Sequence, residues 1–199
     1  MLSQIRPAVV MIVLFTVLTG LVYPFAITGV AQLAFSAKAN GSLIEQDGKI
    51  LGSELIGQNF VADRYFHGRP SATSAPDPAD ATKTVDAPYN AANSGGSNLG
   101  PTSKKLVDRV NASIEAEFAA GRIDMVAADA VTTSASGLDP HISPQFALAQ
   151  VPGVAKARKV SEKLVRAIVD EHIESRLVGL IGEPRLNVLS LNLALDALR

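Results

Sequence analysis

From Ala8 to Ile27 the chain runs almost without a polar side chain (AVVMIVLFTVLTGLVYPFAI), and no charge interrupts it between Arg6 and Lys38. About 20 apolar residues at 1.5 Å each match the hydrocarbon core of a bilayer. Counting Val, Leu, Ile and Phe at about −0.3 to −0.6 kcal/mol each, insertion is favoured by about 4 to 7 kcal/mol. The pattern predicts a membrane-spanning helix over residues 8–35, preceded by a short tail of residues 1–7. A cleaved secretory signal is the rival reading, because Ala37-Lys38-Ala39 has the small-x-small form of a cleavage site. A signal's apolar region is typically about 7 to 15 residues, shorter than this one. Within the span, Thr16, Gly20, Pro24 and Thr28 recur every four residues. Such a stripe lets a partner helix approach closely, with chance placement as the alternative.

Beyond residue 40 the periods shorten. SLIEQDGKIL places two apolar runs around Asp47-Gly48, a hairpin signal. Residues 52–66 read as short strand or turn. Residues 70–88 are rich in Pro, Ala, Ser, Thr and Asp with Val85 the one large aliphatic, and read as a mobile loop. A helix follows Thr102, with Leu106, Val110, Ile114 and Phe118 on one face and Gly121 as its stop. Residues 126–133 suggest a strand. Ser143-Pro144 caps a short helix through Gln150, and Pro152 opens a longer one to about His172, with Val154, Ala157, Val160, Leu164, Ala167 and Ile168 inward. After Gly182-Glu183-Pro184, Leu189, Leu191, Leu193 and Leu195 alternate as in a strand leading to a short terminal helix. Leu186, Leu189 and Leu193 alone also allow a helix throughout. The fold class is α+β: a single N-terminal transmembrane helix followed by one compact mixed α/β soluble domain over residues 40–199, with a small mixed sheet.

Composition narrows the chemistry. Eighteen basic and 19 acidic residues give a net charge of −1, so no basic face points to nucleic acid. With no cysteine, disulfides, thiolate catalysis and cysteine metal sites are excluded. Three histidines, His67, His141 and His172, have no i, i+4 pair, so no metal site is expected. Asp170, Glu171 and Glu174 read as a solvated helix end. The run GGSNLGPT spaces Gly95 and Gly100 as in a P-loop, with Thr102 at the hydroxyl position, but Pro101 stands where the phosphate-binding lysine belongs. Residues Ser94, Gly95, Gly96, Ser97 and Asn98 therefore read as a structural turn or a partner-contact loop, with a nucleotide-binding regulator as the remote reading. Asp139 and His141 beside Ser134, Ser136 or Ser143 suggest a membrane-anchored periplasmic hydrolase as the alternative function, although no Gly-x-Ser-x-Gly elbow occurs. The flanking charges, Arg6 and the free amine on one side and Lys38 then Lys49 on the other, orient the helix only weakly; a cytoplasmic N-terminus and an outward-facing domain are the expectation.

Several short runs, taken in order, resemble one family. They are Tyr23-Pro24, Asn40-Gly41-Ser42-Leu43-Ile44, Leu55-Ile56-Gly57-Gln58-Asn59-Phe60 and Tyr65-Phe66-His67-Gly68-Arg69-Pro70-Ser71-Ala72. Then come Tyr89-Asn90, Ser94 through Leu99, Ser134-Ala135-Ser136-Gly137-Leu138-Asp139, Gln150 through Arg158 and Leu191 through Asp196. Together they are similar to the KdpC family of the Kdp potassium-transporting P-type ATPase. The resemblance implies a non-catalytic accessory subunit of the bacterial inner membrane. It would assemble with a channel-like potassium-binding subunit, a P-type ATPase subunit and a small hydrophobic subunit, in contact with lipid. It further implies a chaperone-like role in ATP binding through a site shared with the ATPase subunit, with no tightly bound cofactor, and Gln150 and Arg158 map to that role. Gly153 stands where the family's motif leads one to expect a basic residue. An outward-facing domain cannot reach cytosolic ATP, so a cap on the potassium-conducting subunit is the other expectation.

Overall fold

The computed structural model describes residues 2–121 and 126–198, in two compact units that divide between Leu51 and Gly52. The first unit is dominated by a 30-residue helix, Ile5–Ala34, whose most apolar 18-residue stretch has a mean hydropathy of 2.3 and no buried position. At 1.5 Å per residue it extends about 45 Å, more than a bilayer core requires. Its middle is a π turn, Leu18–Val22, between α-helical Ile5–Val17 and Tyr23–Ala34. Pro24 explains the irregularity: it has no N–H for the carbonyl four residues back, and its ring crowds that carbonyl. The Tyr23 N–H reaches back five residues to the Leu18 carbonyl instead, while the Thr19 hydroxyl donates to the Phe15 carbonyl at 2.6 Å. In a regular helix a four-residue step overshoots a full turn by about 40°. A π turn winds more slowly and takes part of that drift back, keeping Thr16, Gly20, Pro24 and Thr28 closer to one face. A Cβ added at Gly20 would meet nothing within 4 Å.

The helix ends at Phe35, and Leu43–Gln46 and Lys49–Ser53 then form a hairpin. Asp47 (φ 52°) and Gly48 (φ 72°) both lie in the left-handed region, the type I′ geometry that an Asp-Gly pair favours.

The second unit is built mainly of helices. Lys104–Ala119, Pro144–Arg158, Glu162–Glu171 and Val188–Asp196 are joined by a single turn, Ala128–Val131, and two small strand pairs. His141–Ile142 pairs antiparallel with Leu186–Asn187. The core gathers Phe66, Ile142, Phe146, Val151, Val165, Val169, Leu186, Leu191 and Leu195, all buried. The fold is α+β, but among the described residues its strands form three separate two-stranded pairs rather than one sheet.

Several elements correct the expectations from sequence. Pro152 does not start a helix; it sits inside Pro144–Arg158. Pro152 itself is exposed, while Phe146, Ala147, Val151, Val154 and Ala155 are buried on the opposite side. That continuous buried face offsets the cost of an interior proline, about 3 kcal/mol. The break falls later, where Lys159 adopts φ 59° and the Ser161 hydroxyl caps the next helix by accepting from the Leu164 N–H at 3.3 Å. Reading one helix across this break misplaces the inward face: Val165 and Val169 are buried, whereas Ala157, Leu164 and Ala167 are exposed. Residues 126–133 hold the single helical turn, not a strand. In the leucine-rich segment only Leu186–Asn187 is strand, and Asn187 caps the helix behind it by accepting from the Ser190 N–H at 3.1 Å. Within residues 70–88, read as loop, Ser74–Pro76 pairs with Thr84–Asp86, and Thr73 at the base is 2% exposed. The Lys104–Ala119 helix stops at Gly121 (φ 80°) as expected, but Phe118 is exposed.

Candidate functional site

Residues 66–72 carry no regular secondary structure, so their buried backbone groups need partners outside a helix or sheet ladder. Two carboxamides supply them in sequence. The Phe66 N–H donates to Asn192 Oδ1 at 2.8 Å, and Asn192 Nδ2 donates to the Phe66 carbonyl at 3.0 Å. The His67 N–H donates to Gln150 Oε1 at 2.8 Å, and Gln150 Nε2 donates to the His67 carbonyl at 3.2 Å. Each side chain presents one acceptor and one donor as a peptide group would, and both are buried.

Arg158 holds the same segment one step earlier. Its Nε donates to the Arg64 carbonyl at 2.6 Å, one terminal nitrogen to the Leu195 carbonyl at 3.0 Å and the other to Asp196 Oδ1 at 2.8 Å. The Leu195 carbonyl lies in the last turn of its helix, where it also accepts from the Leu198 N–H at 3.3 Å. The guanidinium also lies 5.1 Å from the centre of the Tyr65 ring, and the Tyr65 hydroxyl donates to Asp196 Oδ2 at 2.9 Å. That hydrogen bond, with burial and the Asp196 charge, raises the Tyr65 pKa above its ordinary value. Gln150 and Arg158, singled out by resemblance, are thus both bonded to the chain's own backbone. Gln150 also lines a cavity of about 440 Å³ with Asp63, Tyr65, His67, Gly153 and Lys156. A Cβ at Gly153 would meet nothing within 4 Å.

A second polar cluster joins three loops. The Arg69 guanidinium donates to Asp139 Oδ2 at 3.0 Å. Ser71 donates to the Gly137 carbonyl at 2.8 Å, and Thr73 donates to the Ala87 carbonyl at 2.6 Å. The Tyr89 hydroxyl donates to the Arg69 carbonyl at 2.8 Å, its ring lying against Gly57 and Gly68, where any Cβ would collide with it. Burial, with Asp139 adding to it and Arg69 opposing, pushes the Tyr89 phenol up to about 12. Burial by itself would also lift the Asp139 carboxyl. Hydrogen bonds from the His141 ring and N–H, and the Arg69 guanidinium, outweigh it and hold Asp139 at about 2.

The glycine loop packs onto this cluster. The Gly95 N–H and the Ser94 hydroxyl both donate to the Ser136 carbonyl, at 2.9 and 3.0 Å, and the Thr133 hydroxyl donates to Ser97 at 3.5 Å. A Cβ at Gly96 would lie 2.9 Å from the Ala135 carbonyl oxygen, so the glycine permits the close approach of two backbones. Ser94 and Asn98 remain exposed on the outer side.

The serines near His141 are otherwise engaged. Ser134 accepts from the Gly137 N–H at 2.9 Å, Ser136 from the Leu138 N–H at 3.1 Å and Ser143 from the Phe146 N–H at 3.0 Å. None of the three is hydrogen-bonded to the His141 ring, which instead lies 3.4 Å from Asp139 Oδ1. A nucleophile and its base need direct contact.

Sequence reasoning missed Asn192, Asn187, Thr73 and the Arg69–Asp139 pair. A signal for the first was present: Asn192 is an amide set between Leu191 and Leu193, as a satisfied buried polar group would be.

These features define a class, an α+β protein with an N-terminal helix long and apolar enough to cross a membrane and with polar residues that knit its own loops together. The family model described as KdpC, K+-transporting ATPase, c chain, matches residues 5–197. Proteins named potassium-transporting ATPase KdpC subunit are similar along nearly the whole length. That of Bradyrhizobium diazoefficiens is 61% identical over 196 residues, 98% of each chain. That of Rhodopseudomonas palustris strain BisB18 is 61% identical over 197 residues, 99% of each. That of Methylobacterium nodulans is 60% identical over 198 residues, 100% of this chain and 98% of the relative. The chain belongs to the KdpC family.

Proposed function

We propose that the chain is an accessory, non-catalytic subunit of an ATP-driven potassium uptake complex in the bacterial inner membrane, acting by binding. The observation that carries this reading is a family match that runs through the apolar helix and the folded domain alike. The N-terminus lies in the cytoplasm and the domain on the periplasmic side. The face of Thr16, Gly20, Pro24 and Thr28 docks on the channel-like subunit, beside the ATPase subunit and the small hydrophobic subunit. The domain caps the outer entrance of the potassium-conducting subunit, touching it through the outer edge of residues 94–98. The engagement of Gln150 and Arg158 with backbone supports a cap over direct ATP contact, since nucleotide would have to displace bonds that hold residues 64–67.

Two measurements test this. Lys83 is exposed and the chain has no cysteine of its own, so Lys83→Cys reports the side of the membrane. Labelling by an impermeant maleimide on intact cells is expected, and labelling only after permeabilisation overturns the periplasmic placement. In the assembled complex, Asn98→Trp is expected to raise KM for potassium and leave KM for ATP unchanged. The opposite pattern would favour the ATP role.

A further inference from the structure

Between the Glu162–Glu171 helix and the Leu186–Asn187 strand the chain forms a hairpin with an unusual tip. Glu174 and Arg185 exchange backbone hydrogen bonds at 2.8 and 3.1 Å, and the Leu177 N–H donates to the Ile181 carbonyl at 2.9 Å. The turn is Val178 (φ 53°) and Gly179 (φ 75°). A β-branched residue is disfavoured in the left-handed region, where a hairpin turn normally places Asn, Asp or Gly. The tip side chains are all large and aliphatic: Leu177 is 69% exposed, Val178 83%, Leu180 84% and Ile181 66%. Charge begins immediately behind them and is paired across the hairpin, Arg176 with Glu183 and Arg185 with Glu174.

An apolar end behind which paired charges remain in water is the side-chain order of an element that lies in a membrane interface. The tip lacks the Trp, Tyr and Arg that dominate protein–protein hot spots, and its leucines and valine are under-represented there. A bilayer is also always within reach of a chain that carries the Ile5–Ala34 helix. We propose that the 176–183 hairpin inserts its tip into the head-group and upper acyl region of the leaflet on the domain's side. It would form a second membrane contact of this chain, separate from the anchor helix. This inference needs only the anchor and is independent of the capping role.

The test uses the full chain in phosphatidylcholine vesicles, with an environment-sensitive fluorophore on Val178→Cys or, as a reference, on Lys83→Cys. The label at 178 should sit about 5–10 Å below the head-group level. A nitroxide at the head-group end of the acyl chains should quench it several-fold more than the label at 83, and more than a nitroxide near the chain end does. Adding Leu177→Ser, Leu180→Ser and Ile181→Ser should reduce quenching at 178 to the level at 83. The near-UV signal of Tyr65 and Tyr89 checks that the fold persists. Equal quenching at 178 and 83 overturns the proposal. So does quenching that survives the serine substitutions, which would make the label itself the inserting group. Protection of 178 only on adding the other subunits of the complex, without lipid quenching, would place the tip in a protein socket and equally overturn it.

Discussion

Replacing Gln150 by Glu changes one atom and separates a backbone clamp from a nucleotide ligand. The carboxylate keeps the acceptor for the His67 N–H but sets a second oxygen against the His67 carbonyl, where Nε2 now donates at 3.2 Å. Leaving that buried carbonyl without a donor costs about 1–3 kcal/mol, and the buried charge adds to it. An upper limit follows from protonation. A Glu with an ordinary value of about 4.3 can instead be held neutral at pH 7 for about 3.7 kcal/mol. The variant should therefore lose about 1–4 kcal/mol at pH 7. Its folded pKa is raised above the unfolded one, so the penalty is present above the folded value, shrinks as pH falls through it and is gone below the unfolded value. There the neutral carboxyl donates through its O–H to the His67 carbonyl and accepts the His67 N–H, restoring both bonds. Urea unfolding of the full chain in detergent at pH 7 and pH 4.5, each against wild type, would show the loss and its recovery. Gln150→Leu should be destabilised equally at both. A Gln150→Glu protein as stable as wild type at pH 7, or equally weakened at both pH values, would refute the clamp.

Further outcomes follow from other sites. Asp139 is held at about 2 against an ordinary 3.8, so it contributes about 2 kcal/mol above pH 3.8 that is lost as pH falls through 2. Acid titration of stability should show this slope in wild type and lack it in Asp139→Asn. Gly137 has φ 67° and a Cβ there would lie 2.7 Å from the Gly95 carbonyl oxygen, so Gly137→Ala should cost about 1–3 kcal/mol by overpacking. Gly153→Ala, in open space within a helix, should gain about 1 kcal/mol; thermal melts of the two variants should move in opposite directions. A Cβ at Gly20 meets nothing within 4 Å, so Gly20→Leu should leave the helicity intact while weakening recovery of the complex in mild detergent. Unchanged recovery would remove that face from the interface.

What the sequence made legible was local. The charge-free span, the Asp47-Gly48 turn, the Ser143-Pro144 cap and the Gly121 stop each depend on neighbours within a turn or two. Pro152 misled because its cost is met by a buried face on the other side of the helix, which no proline rule includes. The alternating leucines after Pro184 misled because the deciding residue is Asn187, a cap lying inside what resembles a strand. In the site, the resemblance directed attention to Gln150 and Arg158, but their partners lie 83 and 94 residues away. A side chain that bonds backbone at such separations leaves no periodic trace. The hairpin within residues 70–88 escaped notice for a related reason: Thr73, Ser71 and Asn90 anchor it with hydroxyl and amide bonds rather than apolar burial.

The grip of Asn192 on Phe66 also sets a timetable for biogenesis. At about 5–20 residues per second, a nascent chain waits roughly 6–25 s between the two positions. Throughout that interval Phe66 has no amide to receive its backbone, and Leu191 and Leu195 have not yet been made. The packing around Phe66 therefore cannot be completed until residues 191–195 have left the ribosome. Phe66, Leu191 and Leu195 thus enter the core together, and the Val188–Asp196 helix is the element that closes it.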